Sequence, residues 1–155
     1  MESNFDKYVM SQTMGKLSVI SIHLWLEHLL AMSLRRVIPN AEPLFRDRGV
    51  SFSLLVSLCE AHKIVAGPLA EVLRKVNSLR NRCAHQLTFN PREPDWAALR
   101  AAIDKVVGPA AEPDEGVDAL RRLADFVEAR AIAIGALDQN VAAPTVGAFN
   151  GGAGE

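Results

Sequence analysis

Between Pro68 and Leu87 the apolar residues fall at Leu69, Val72, Leu73, Val76, Leu79, Cys83 and Leu87. Three- and four-residue spacing puts such side chains on one face of an α-helix, which alternation along a strand cannot do. A stripe of this kind is stable only when other elements cover it, so the chain is committed to helix packing. One position breaks the pattern: at about 100° per residue, Arg80 lies about 20° from Leu69, inside the stripe. A guanidinium there is costly to bury unless it meets a carboxylate, a wet groove, a ligand or a second subunit. Asn81 and His85 share another face, about 100° and 140° round from Arg80. A polar cluster therefore wraps the last two turns of this helix.

The remaining segments read the same way. A first helix is predicted from Lys16 to Val37, ending before Pro39. Val19, Ile22, Leu26, Leu29, Leu30 and Val37 form one apolar face, and Ile20, Leu24, Ala31 and Leu34 form a second with Glu27 in its middle. A helix apolar on two sides calls for cover on both. Glu27, like Arg80, is a charge within an apolar face, and each is the expected partner of the other. Residues 39–49 read as a loop, and a second helix spans Phe52 to Val65. Gly67 is expected to cap its end and Pro68 to open the third helix. A loop over 88–94 leads to a fourth helix capped by Asp95, with Trp96, Leu99, Ile103 and Val106 inward. A fifth runs from Val117 to Leu137, with Leu120, Leu123, Ala124, Val127, Ala131 and Ile134 as its stripe. The expected architecture is an all-α bundle over residues 15–137, between a flexible lead-in at 1–14 and a disordered, glycine-rich tail at 138–155. Trp25 and Trp96 are expected as core anchors, and His23, His28 and His62 at helix surfaces or boundaries.

With 155 residues and 49% apolar content the chain is long enough for one well-filled core. Cys59 and Cys83 both fall on apolar stripes, which suits reduced core residues, and neither a CxxC pair nor a His/Cys metal spacing occurs. No cofactor or metal is expected. The N-terminus lacks a positive-then-apolar run, and His23, Glu27 and His28 interrupt the apolar segment 17–34, so the expected location is the cytoplasm, without a membrane span. A net charge of −1 argues against a strong nucleic-acid binder as a whole, but residues 35–105 carry twelve Lys/Arg against seven Asp/Glu, and 106–155 carry three against eight. The polar cluster lies in the basic part, compatible with transient contact to RNA.

Arg80-Asn81-Arg82-Cys83-Ala84-His85 resembles the motif of the HEPN superfamily, an arginine followed after four to six residues by a histidine, in the Leu-Arg-Asn-x-x-Ala-His form of mannitol operon repressor-like proteins. In helix order the resemblance covers roughly residues 15–135. It implies a HEPN-like bundle of four to five helices that dimerises through the motif-bearing face. It also implies, for many members, metal-independent endoribonuclease activity, often as a toxin or defence effector restrained by an antitoxin. On this reading His85 is the general base on a ribose 2′-hydroxyl, Arg80 stabilises charge on the phosphate, Asn81 orients one of them, and Arg82 contacts RNA. Imidazole suits such a role because it titrates near neutral pH. Since Arg80 and His85 diverge on one helix, two copies must combine at a homodimer interface. The alternative is a non-catalytic dimerisation and interaction module with a regulatory role. No helix-turn-helix with a basic recognition helix is present, so DNA reading is not expected.

Overall fold

The computed structural model describes residues 4–46, 49–86 and 88–137, with residues 4–14 as backbone alone. Helix α1 runs Asn4–Val37, α2 Phe52–Ala61, α3 Gly67–His85, α4 Glu93–Val107 and α5 Gly116–Ala133, and no strand occurs among the described residues. The all-α expectation holds. The tail at 138–155 and residues 1–3 lie outside the described residues.

Helix α1 begins ahead of the expected start at Lys16, so that 4–14 continue it. No proline precedes Pro39, and extending an existing helix costs little once it is nucleated. Its inward face is Val19, Leu26, Leu29, Leu30 and Leu34, all within 1% of full burial. Each such side chain contributes roughly 1.5–3 kcal/mol. The opposite face is not covered within the chain: Leu17 is 50% and Leu24 55% exposed. Trp25 is also not a core anchor, being 37% exposed and stacked on His28, with ring centroids 5.4 Å apart.

The loop after α1 contains a short 3-10 helix, Glu42–Phe45, tied to α1 by Arg35, whose Nε donates to Glu42 Oε1 at 3.0 Å. Ser51 caps α2, its Oγ accepting from the Leu54 amide. The end of α2 corrects the sequence reading, which carried the helix to Val65 and gave the cap to Gly67. Lys63 takes the left-handed conformation, φ 59°, while its amide and that of Ile64 reach back to Glu60 and Cys59 carbonyls. This is a Schellman ending with a lysine where glycine is the common choice. Gly67 is instead the first residue of α3, followed by Pro68.

Helix α4 starts earlier than expected. Arg92 is its N-cap, and Asp95 sits three residues inside, where its carboxylate accepts from the Arg92 amide at 2.9 Å. That backbone donor, and then Arg82, hold the Asp95 carboxyl below its usual range. Leu99 and Ile103 are buried, while Trp96 and Val106 are partly buried against the core. Helix α5 stops at Ala133 rather than Leu137 because Gly135, φ 74°, turns the chain. Arg122 fastens the α4–α5 connection with Nε to Asp114, Nη1 to the Gly108 carbonyl and Nη2 to Asp104, at 2.7–2.8 Å. Helix α1 packs against α2, α3 and α5, and α3 against α1, α2 and α4. Helix α3 is thus held between three neighbours, while Asn81, Arg82 and His85 near its C-terminal end are exposed.

Candidate active site

Two contacts fix how α1 meets α3. His23 Nε2 lies 3.0 Å from Asn77 Oδ1, and Lys16 Nζ donates to the Gln86 carbonyl at 3.5 Å. Moving back along α1 therefore moves forward along α3, so the helices are antiparallel. This register explains why the expected Glu27–Arg80 pair does not form. Glu27 is four residues beyond His23 toward one end of the interface and Arg80 three beyond Asn77 toward the other, about 10 Å of combined axial offset at 1.5 Å per residue. No ion pair within one chain joins them among the described residues. Arg80 is half-buried, its Nε is buried without a hydrogen-bond partner, and its Nη1 donates to Asn81 Oδ1 at 3.1 Å.

His23 is 2% exposed, against the expectation of a surface position. Its ring packs on Phe52 of α2 with centroids 4.1 Å apart, and its Nδ1 is buried without a partner. Burial is the main reason its pKa falls below the usual histidine value; the hydrogen bond to Asn77 opposes it, the nearby Arg80 charge adds to the lowering, and Glu27 opposes it least. His28 and His62 are exposed as anticipated.

On the outer side of α3, Asn77, Asn81 and His85 follow one another at four-residue intervals and line one groove of about 520 Å³. Arg74, Ser78, Arg82 and Gln86 complete its α3 wall, and Ser53 is contributed from the start of α2. Among the described residues the lining is amide, hydroxyl, imidazole and guanidinium, with no carboxylate. Both cations at its margin have partners: Arg74 Nη2 donates to Glu60 at 2.7 Å, and Arg82 Nη1 to Asp95 at 3.1 Å. The Arg82 guanidinium also lies over the Phe89 ring, 3.9 Å from its centroid. Arg82 is therefore engaged within the chain at the position where RNA contact was expected.

The structure brings Asn81 and His85 onto one surface and joins Arg80 to it through Asn81. Sequence reasoning missed His23, Asn77, Arg74 and Ser53. His23 was recoverable: four residues after Val19 and three before Leu26, it falls within the buried stripe of α1. Asn77, one turn before Asn81, carried the same positional signal. Among the described residues no three His, Cys, Asp or Glu side chains gather as a metal site. Comparison of the chain with protein-family models, with curated proteins and with solved structures finds no match.

Proposed function

We propose that the chain is a HEPN-type, metal-independent endoribonuclease acting as a homodimer, a toxin or defence effector held in check by a cognate antitoxin. The observation that carries this reading is the groove, free of carboxylates among the described residues, in which His85 and Asn81 stand one turn apart, with Arg80 reaching Asn81. A phosphodiester is an anionic row of acceptors, and amides, hydroxyls and guanidiniums are its natural complement. His85 takes the proton of the ribose 2′-hydroxyl, the 2′-oxygen attacks phosphorus, and the bond to the 5′-oxygen breaks, that oxygen taking a proton from solvent. Arg80 stabilises the charge that develops on the phosphoryl oxygens, and Asn81 holds it there.

The uncovered face of α1 supports dimerisation. Leu17 and Leu24, one heptad apart, expose apolar surface, as does Leu54 beside the groove residue Ser53. A second copy covering this surface would bring two motifs together and supply the convergence one helix lacks. Residues Gly15–Val37 are long and apolar enough to cross a membrane by length and composition. With one side of this segment built into the core, we read it as a bundle helix and assign the protein to the cytoplasm.

A second reading, a non-catalytic interaction module with a regulatory role, draws support from the internal pairing of Arg74 and Arg82, which neutralises cations that RNA would otherwise meet. Incubating the purified chain, free of antitoxin and with EDTA present, with mixed cellular RNA separates the two. The nuclease reading expects cleavage that His85→Ala abolishes at nearly unchanged melting temperature. An inactive wild-type dimer sinks it in favour of the interaction module.

A further inference from the structure

Buried polar atoms without partners are uncommon, and the α1–α3 interface contains two, His23 Nδ1 and Arg80 Nε. Their chemistries are complementary. Asn77 Oδ1 can only accept, so the 3.0 Å contact requires His23 Nε2 to carry the proton, which leaves Nδ1 as a bare lone pair. Arg80 Nε–H can only donate. Asn77 and Arg80 are neighbours one turn apart on α3, and His23 is in the electrostatic field of Arg80.

We propose that His23 is a positioning residue for the motif arginine: its Nδ1 and Arg80 Nε–H, both unpaired in the structure, pair with each other on a side-chain readjustment, the imidazole accepting, which completes a chain that runs Asn77, His23, Arg80, Asn81. The existing Nη1 contact to Asn81 is kept, because Nε and Nη1 are separate donors of one planar fork. The arginine is then held at two points, by a buried imidazole on one side and a groove amide on the other. Phe52 of α2 packs on the imidazole and limits its rotation, so that α1 and α2 together fix the α3 side chain. A neutral ring is required, since a proton on Nδ1 would face the guanidinium. Desolvation, reinforced by Arg80, favours that neutral form. The consequence for cleavage rests on the nuclease reading above, whereas the hydrogen bond does not.

The test has two arms on the full chain. Nitrogen-15 imidazole spectra of wild type should show His23 as the Nε2–H tautomer. In Arg80→Lys, which keeps the charge but lacks Nε–H, the Nδ1 resonance should move toward that of a free lone pair. A proton on Nδ1, or an Nδ1 resonance indifferent to Arg80→Lys, overturns the proposal. In the second arm, His23→Leu removes both hydrogen bonds and His23→Gln keeps a donor for Asn77 and an acceptor for Arg80. His23→Leu should retain its fold and dimer and lose at least about tenfold in kcat, with His23→Gln recovering most of it. Equal activities of the two variants overturn the positioning role. An inactive wild type with the Nε2–H tautomer intact removes the nuclease reading and leaves the hydrogen-bond chain. An active wild type with the tautomer reversed does the opposite.

Discussion

Asn81 accepts a hydrogen bond from Arg80 at 3.1 Å although the two are sequence neighbours. Their side chains leave the helix in directions about 100° apart, and only the length of the arginine lets it cross back over the surface. Arg80 thus has its Nε buried while its Nη1 reaches Asn81, a residue of the groove wall.

Replacing Asn81 by leucine removes the acceptor and frees the guanidinium. Asn81 is exposed, so the melting temperature should change little, with a stability difference within about 0.5 kcal/mol. On the proposed nuclease reading, RNA cleavage should fall by at least about tenfold, a typical loss for an orienting group. Cleavage at the wild-type rate would show that Arg80 needs no such guide.

Protonation of His23 should weaken the fold in mildly acidic solution. Its folded pKa is lowered from the ordinary 6.5, chiefly by desolvation. Below that value the unfolded chain takes up a proton that the folded chain resists, so stability falls as pH drops from 6.5 toward the folded pKa. His23→Gln does not titrate, and its melting temperature should gain on wild type between pH 7.5 and pH 5, both measured by circular dichroism. A wild type that gains on the variant over this interval would contradict the assigned burial.

The helical class and the buried stripes of α3 and α5 were legible from spacing alone, because a 3.6-residue period has one geometric solution. Leu69 through Cys83 and Leu120 through Ala131 are buried as that period requires. That Glu27 and Arg80 do not pair was not legible, because it depends on the antiparallel register of two helices whose individual sequences do not state it. The end of α2 was missed for a local reason. A left-handed lysine gives no composition signal, whereas Gly67 offered a misleading one. His23 was passed over because residue type was weighed above its place in the stripe.

The proposed dimerisation through α1 has a direct check. Leu24→Lys, with Leu17→Lys as a second variant, places charge on apolar surface exposed in the single chain. Sedimentation should find wild type dimeric and the variants monomeric at micromolar concentration, with helical content retained. A monomeric wild type would remove both the interface and the shared site built on it.

Gly116 opens α5 where a Cβ would stand 2.1 Å from the Trp96 ring. Flexibility of the backbone is not the issue there; space is. Gly116→Ala should cost about 1–3 kcal/mol, the usual effect of overpacking, and should alter the tryptophan fluorescence as the indole is displaced. An alanine variant that melts with wild type would mean that Trp96 has room to withdraw.

The two cysteines, finally, offer a built-in chemical clock. Burial pushes the Cys59 thiol up to about 12 and raises that of Cys83 as well, so little nucleophilic thiolate exists at either while the bundle is closed. An alkylating reagent can then act only on openings that release the sulfur. Cys59 donates to the Leu30 carbonyl across the α1–α2 contact, whereas Cys83 lies in the last turns of α3 beside the motif. Their separate labelling rates would therefore time two different events, the parting of α1 from α2 and the loosening of the motif-bearing end of α3.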